Sequence, residues 1–199
     1  MLVVACGTSR GARILPVNED EFWAIVASSR ADAGGEIAGQ PEALRDLLVQ
    51  RPVPDVVAFG RLLTQVTGRA CTNDMAHAAG LLLGGVADDS FMDFRTWLAC
   101  HGREIFEAAL ADPDSIVELP YDDDEDDFGS AEEFSYVADE VFEERTGEEP
   151  PDDDEEEPEV EADLYDQATL RARFPRLWAR AEQRHPEYLR EREEWVNRL

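Results

Sequence analysis

The sequence predicts an all-α protein: a single helical domain with an acidic extended linker and a C-terminal helical arm. Three observations carry that prediction. Apolar residues recur at spacings of three and four in one segment after another, the period of a helix with one buried face. Proline and glycine fall at the starts and ends of those segments, where helices tolerate them. No stretch alternates as a half-buried strand would, apart from a short run at Leu2–Ala5.

The elements follow in order. Residues 1–17, "MLVVACGTSRGARILPV", read as a leader of uncertain order. Val3-Val4-Ala5-Cys6 imitates a lipoprotein cleavage box, but no basic residue precedes it and the apolar run is too short for a signal peptide. The helical domain is set at 18–147. Asn18 to Glu21 supply a cap with a glutamate three residues on, followed by Phe22, Ile25, Val26 and Ser29 on one face. Gly34-Gly35 stop this helix. Pro41 opens a second, with Leu44, Leu47 and Leu48 inside, and Pro54 a third, with Val56, Phe59, Leu62, Leu63 and Val66. Thr72 or Asn73 caps a fourth that closes at Gly84-Gly85.

The stretch "FMDFRTWLACHGREIFEAALADPD", residues 91–114, is the densest in the chain. Phe91, Phe94, Leu98 and His101 keep helical spacing, and Ile105, Phe106, Ala109 and Leu110 continue the face. Gly102 bends this helix or joins two shorter ones. Pro113 ends it, because the residue before a proline resists helical geometry. Ser130 to Glu133 form a capping box for a further helix with Phe134, Val137, Ala138, Val141 and Phe142, ending at Gly147. Residues 148–165 read as a solvated acidic linker, since like charges repel and prolines block helix. Residues 166–199 form an arginine-rich helical arm, capped by Asp166, interrupted by Pro175 and restarted at Pro186.

Residues 91–115 resemble a known pattern. "DFRTWL", "GREIFEAAL" and "ADPDS" stand in order, with "EFWAIVASSR" before them and "EVFEERTG" after them. Together they resemble an uncharacterised bacterial family catalogued as domain of unknown function 4240, over roughly residues 18–147. The resemblance implies a helical bacterial domain. It implies no activity and no site residues.

Charge is the strongest signal. The 199 residues carry a formal net charge of −28, and all 18 basic residues are arginine. Residues 1–111 hold 14 acids and 9 arginines, residues 112–166 hold 27 acids and one arginine, and residues 167–199 hold 5 acids and 8 arginines. The acid is therefore concentrated in one segment, and the tail has the opposite sign. Such a field repels nucleic acid and attracts basic surfaces. Cys6, Cys71 and Cys100 are widely spaced, with no CxxC, so a disulfide framework is not expected and the cytoplasm is the expected compartment. No run approaches the length of a membrane span.

Chemistry-bearing motifs are few. Trp97, His101 and Arg103 share one segment and are the candidate binding residues for a small-molecule or catalytic pocket. A histidine near neutral pKa can act as a base, but Cys100 beside it points elsewhere on a helix, and the spacing fits packing better. Asp122, Asp124, Asp126 and Glu133 fall at positions 1, 3, 5 and 12 of a calcium loop, but Asp127 stands where that loop needs glycine. "CGTSRGAR" lacks the spacing of a phosphate cradle, the chain has no lysine for a P-loop, and the three histidines are scattered. No catalytic residue and no cofactor is expected. The sequence reads best as a non-catalytic interaction or regulatory protein for a basic protein partner. The alternatives are an enzyme or small-molecule binder at the Trp97 segment, and an immunity or nucleic-acid-mimic protein. The oligomeric state is left open.

Overall fold

A computed structural model describes residues 17–121, 127–151, 165–196 and 198. These residues form ten α-helices and one 3₁₀ helix, and no strand is found among them. Helix α1 (Glu19–Asp32) starts on a reciprocal cap: Asn18 Oδ1 accepts from Glu21 N at 3.0 Å, and Glu21 Oε2 accepts from Asn18 N at 3.3 Å. Helices α2 (Gln40–Leu48) and α3 (Val53–Gly68) each carry proline in the first turn, where the missing N–H is not needed. Helix α4 (Asn73–Leu83) is capped by Thr72 Oγ1, which accepts from Met75 N at 3.2 Å, and ends on Gly84 in the left-handed conformation.

Helix α5 (Asp88–Cys100) begins where Ser90 Oγ accepts from Ala87 N at 2.8 Å. Gly102, at φ +93°, separates it from α6 (Arg103–Ala111). Two helices thus stand where the apolar period runs on unbroken, because the joint occupies a backbone region essentially reserved for glycine. A 3₁₀ helix (Pro113–Glu118) follows. Helix α7 (Asp127–Thr146) begins three residues ahead of Ser130, so the predicted capping box lies inside the helix.

Helix α7 is the central element, packed against α2, α3 and α5, while α1 packs on α2, α3 and α5. The core is aromatic. Phe22 lies 5.0 Å from both Trp23 and Phe59, Trp23 lies 5.5 Å from Phe106, and Phe59 lies 6.4 Å from Phe134, as centroid distances. Rings at these distances and tilts add to the area they bury.

The arm consists of α8 (Gln167–Arg173), α9 (Pro175–Arg184) and α10 (Pro186–Val196), with the predicted Asp166 cap accepting from Thr169 N at 2.7 Å. Helix α9 lies on α4 and the 3₁₀ helix, burying Leu177, Trp178 and Ala181. Buried Asp114 holds the start of α9. Its Oδ1 accepts from Leu177 N at 2.8 Å, and its Oδ2 accepts from Arg176 N and Nε, each at 3.1 Å. Arg176 also reaches Asp112 at 3.1 Å and Glu118 at 2.7 Å, and Arg173 pairs with Asp74. Arginines of the tail therefore meet the first acids of the acidic segment. The two long acidic runs, at 122–126 and 152–164, lie outside the described residues, as does Leu2–Ala5. No described helix is long and apolar enough to cross a membrane.

Candidate functional site

Helices α3, α5 and α7 come together around a groove of about 590 Å³. Its floor exists because α3 and α7 approach closely at Gly60. A Cβ there would lie 3.4 Å from Ala138 Cβ, at the near edge of ordinary van der Waals contact, so the two helices are closely packed at this point. Helix α3 contributes Arg61, Thr64 and Thr67, and α5 contributes Met92, Asp93 and Thr96. From α7 come Tyr136, Asp139, Phe142 and Glu143. Glu149, Pro150 and Pro151 also line it. Residues 132, 136, 139 and 143 are spaced by three and four, so Glu132, Tyr136, Asp139 and Glu143 form one stripe along α7, beside the stripe that enters the core.

The electrostatics of this groove are one-sided. Glu140 and Glu144 are paired with Arg45 of α2. Among the described residues, Asp93, Glu132, Asp139 and Glu143 enter no ion pair, and Arg61 is the one cation in the groove lining. The acids act on one another. Burial, then the charges of Glu132 and Asp89, raise Asp93 above its ordinary value. Burial and Glu143 do the same for Asp139. The charge of Glu132, with burial and Asp93, raises the Tyr136 hydroxyl, which donates to Glu132 Oε1 at 3.5 Å. Where neighbouring negative charge disfavours the ionised form of a carboxyl group, an approaching cation stabilises that form.

Two large apolar side chains stand exposed in the same place, Met92 at 41% and Tyr136 at 49%. Both lie on the helices that carry the acids. Neither belongs to the apolar stripes that mark the core, so periodicity alone passes over them. The signal that points to them is the acid stripe of α7 and the methionine that interrupts the polar side of α5.

The residues singled out from the sequence lie elsewhere. Trp97 is fully buried, with its ring 5.6 Å from Phe94 and 4.5 Å edge-on from His101. His101 is buried at the end of α5, its Nδ1 2.9 Å from Trp97 O. Arg103 turns outward from α6 to α1. It donates to Asp20 Oδ1 at 2.6 Å, reaches Glu19 at 3.8 Å, and is raised chiefly by the Asp20 hydrogen bond. The structure thus brings Trp97 and His101 together and sends Arg103 to the surface. Arg95 is buried with its guanidinium 5.4 Å from the Phe91 ring, and Asp112 pairs with Arg176. Of the calcium-loop candidates, Asp122, Asp124 and Asp126 lie outside the described residues, and Glu133 is exposed on α7. Among the described residues no group of three or more His, Cys, Asp or Glu could hold a metal ion. Cys71 is half-buried and Cys100 is buried.

The model of one protein family, described as "Protein of unknown function (DUF4240)", matches residues 17–144. The match takes in α1 to α6, the 3₁₀ helix and nearly all of α7, and with them the groove helices. The arm lies beyond it. No curated protein and no solved structure matches the chain.

Proposed function

Because the chain belongs to the DUF4240 family of proteins of unknown function, its role has to be sought in its own surface, and we propose a non-catalytic interaction or regulatory protein whose acidic face binds a basic protein partner. The observation that carries this reading is the groove between α3, α5 and α7. Burial and then neighbouring negative charge raise Asp93 and Asp139, and the charge of Glu132 raises Tyr136. Bringing in a cation relieves that repulsion, and bringing in a phosphate backbone worsens it. The whole-chain charge of −28 extends the same field outward and speeds the encounter with a basic surface. The reading places the protein in the cytoplasm, the compartment expected from three widely spaced cysteines with no CxxC.

The test is capture from a source lysate on the full chain, washed at about 0.05 M and about 0.5 M salt, alongside an Asp93→Asn/Asp139→Asn variant. A basic protein retained at low salt, released at high salt and held less well by the variant supports the proposal. A partner whose retention is the same at both salt concentrations and on both proteins overturns it.

A further inference from the structure

We infer that the α3/α5/α7 groove is the seat of a single amphipathic α-helix, about three turns long, that presents apolar side chains to Met92 and Tyr136 and basic ones to the carboxylates around them. This rests on the reading of the acidic face as the partner-binding surface and adds what kind of segment binds there. Four features lead to it.

The first is the pairing of chemistries. Acid alone would hold any polycation in a loose cloud, but here exposed Met92 and Tyr136 stand between Asp93, Asp139 and Glu143 in the same groove. An unbranched thioether adapts to varied apolar partners, and a phenol ring accepts both an aliphatic chain and a guanidinium. The second is complementarity of charge. Unpaired carboxylates line α5 and α7, whereas the acids on the next face of α7 are already matched by Arg45. The third is length. From Glu132 to Glu143 the acid stripe spans 11 residues of helix, roughly 16 Å at 1.5 Å per residue, which is three turns of a partner helix. Cations at i, i+7 and i+11 on such a partner repeat with the same pitch as the acids at 132, 139 and 143, with Tyr136 between them.

The fourth concerns the backbone of the occupant. An extended peptide entering this groove would find no sheet edge among the described residues to take its N–H and C=O groups. A helix satisfies its own backbone and needs only side-chain contacts. The groove lining offers hydroxyls at Thr64, Thr67, Thr96, Ser135 and Tyr136, too few and too irregular to replace a strand ladder.

The experiment uses three labelled probes on the full chain, read by fluorescence anisotropy. The first is a synthetic lysine–leucine helix of about 14 residues with the leucines on one face. The second is a scramble of the same composition, and the third is an oligoarginine. The amphipathic helix is expected to bind roughly tenfold tighter than its scramble. Met92 and Tyr136 are exposed, so Met92→Ser/Tyr136→Ser leaves the core intact. That variant is expected to lose about tenfold toward the amphipathic helix and less than about twofold toward oligoarginine. A scramble that binds as well as the helix overturns the inference and leaves the acidic-face reading standing. So does a Met92→Ser/Tyr136→Ser variant with unchanged affinity for the helix, since the seat is then elsewhere. Failure of oligoarginine to bind even at low salt removes the acidic-face reading itself.

Discussion

Replacing Asp114 with alanine should release the arm and leave the body folded. The carboxylate is only 4% exposed and accepts three hydrogen bonds, two from the first-turn amides of α9 and one from Arg176 Nε. A hydrogen bond to a charged group contributes about 1.5–3 kcal/mol, and a buried donor left without an acceptor costs a similar amount. Leu177 is fully buried, so water does not readily take over its amide. Arg176 is half exposed and keeps Asp112 and Glu118, so its share of the loss is small. Removing the buried carboxylate also removes its desolvation cost, which offsets part of the damage. The balance is about 3 kcal/mol against docking of the arm, equivalent to roughly a hundredfold rise in the open population. Hydrogen exchange followed by mass spectrometry reads this directly. Peptides covering α8 to α10 should exchange about a hundredfold faster in Asp114→Ala, peptides covering α3 and α7 should be unchanged, and Asp114→Asn, which keeps one acceptor, should lie between. Arm exchange within about threefold of the parent protein, or equal acceleration in α3 and α7, would refute the reasoning: Asp114 would then not hold the arm, or the arm would not open on its own.

Two further outcomes are expected. Trp97→Ala empties the largest fully buried side chain from the core and should cost about 3–5 kcal/mol in urea denaturation, whereas Arg103→Ala, which loses only exposed pairs to Asp20 and Glu19, should leave the urea midpoint nearly unchanged. For Asp93 and Asp139 the folded-state pKa lies above the unfolded one, so the native protein binds their protons more tightly. Their contribution is fully present below the unfolded value near 4 and is lost as pH rises through the raised native values. Asp93→Asn/Asp139→Asn should therefore gain Tm relative to the parent protein as pH rises from about 4, and then level off; a Tm difference independent of pH would contradict these shifts.

Much of the fold could be read from residues because local signals agreed with one another. Asn18 with Glu21, Pro41, Pro54, Thr72, Gly84, Asp166, Pro175 and Pro186 each begin or end a helix through backbone chemistry confined to a few residues. The 3₁₀ helix at Pro113–Glu118 was not legible, because Asp112-Pro113 is as good a stop as a restart. The early start of α7 was hidden by a competing capping box at Ser130. The groove was the least legible part. A carboxylate on a helix reads as a solvated face until the neighbouring helices are in place, and only packing shows that Glu140 meets Arg45 while Asp139 does not. Trp97, His101 and Arg103 attracted attention by residue type, yet two of them fill the core and the third bridges α6 to α1.

The arm has a practical bearing on how such a protein is handled. The family match stops at residue 144, but α9 rests on α4 and the 3₁₀ helix well inside it, and His185 Nε2 sits 3.0 Å from Leu82 O at the end of α4. A gene trimmed to the match would encode a fragment whose α4 flank, dressed for contact with Leu177 and Trp178, faces solvent bare. Such a fragment should be sticky and poorly soluble for reasons unrelated to what the protein recognises.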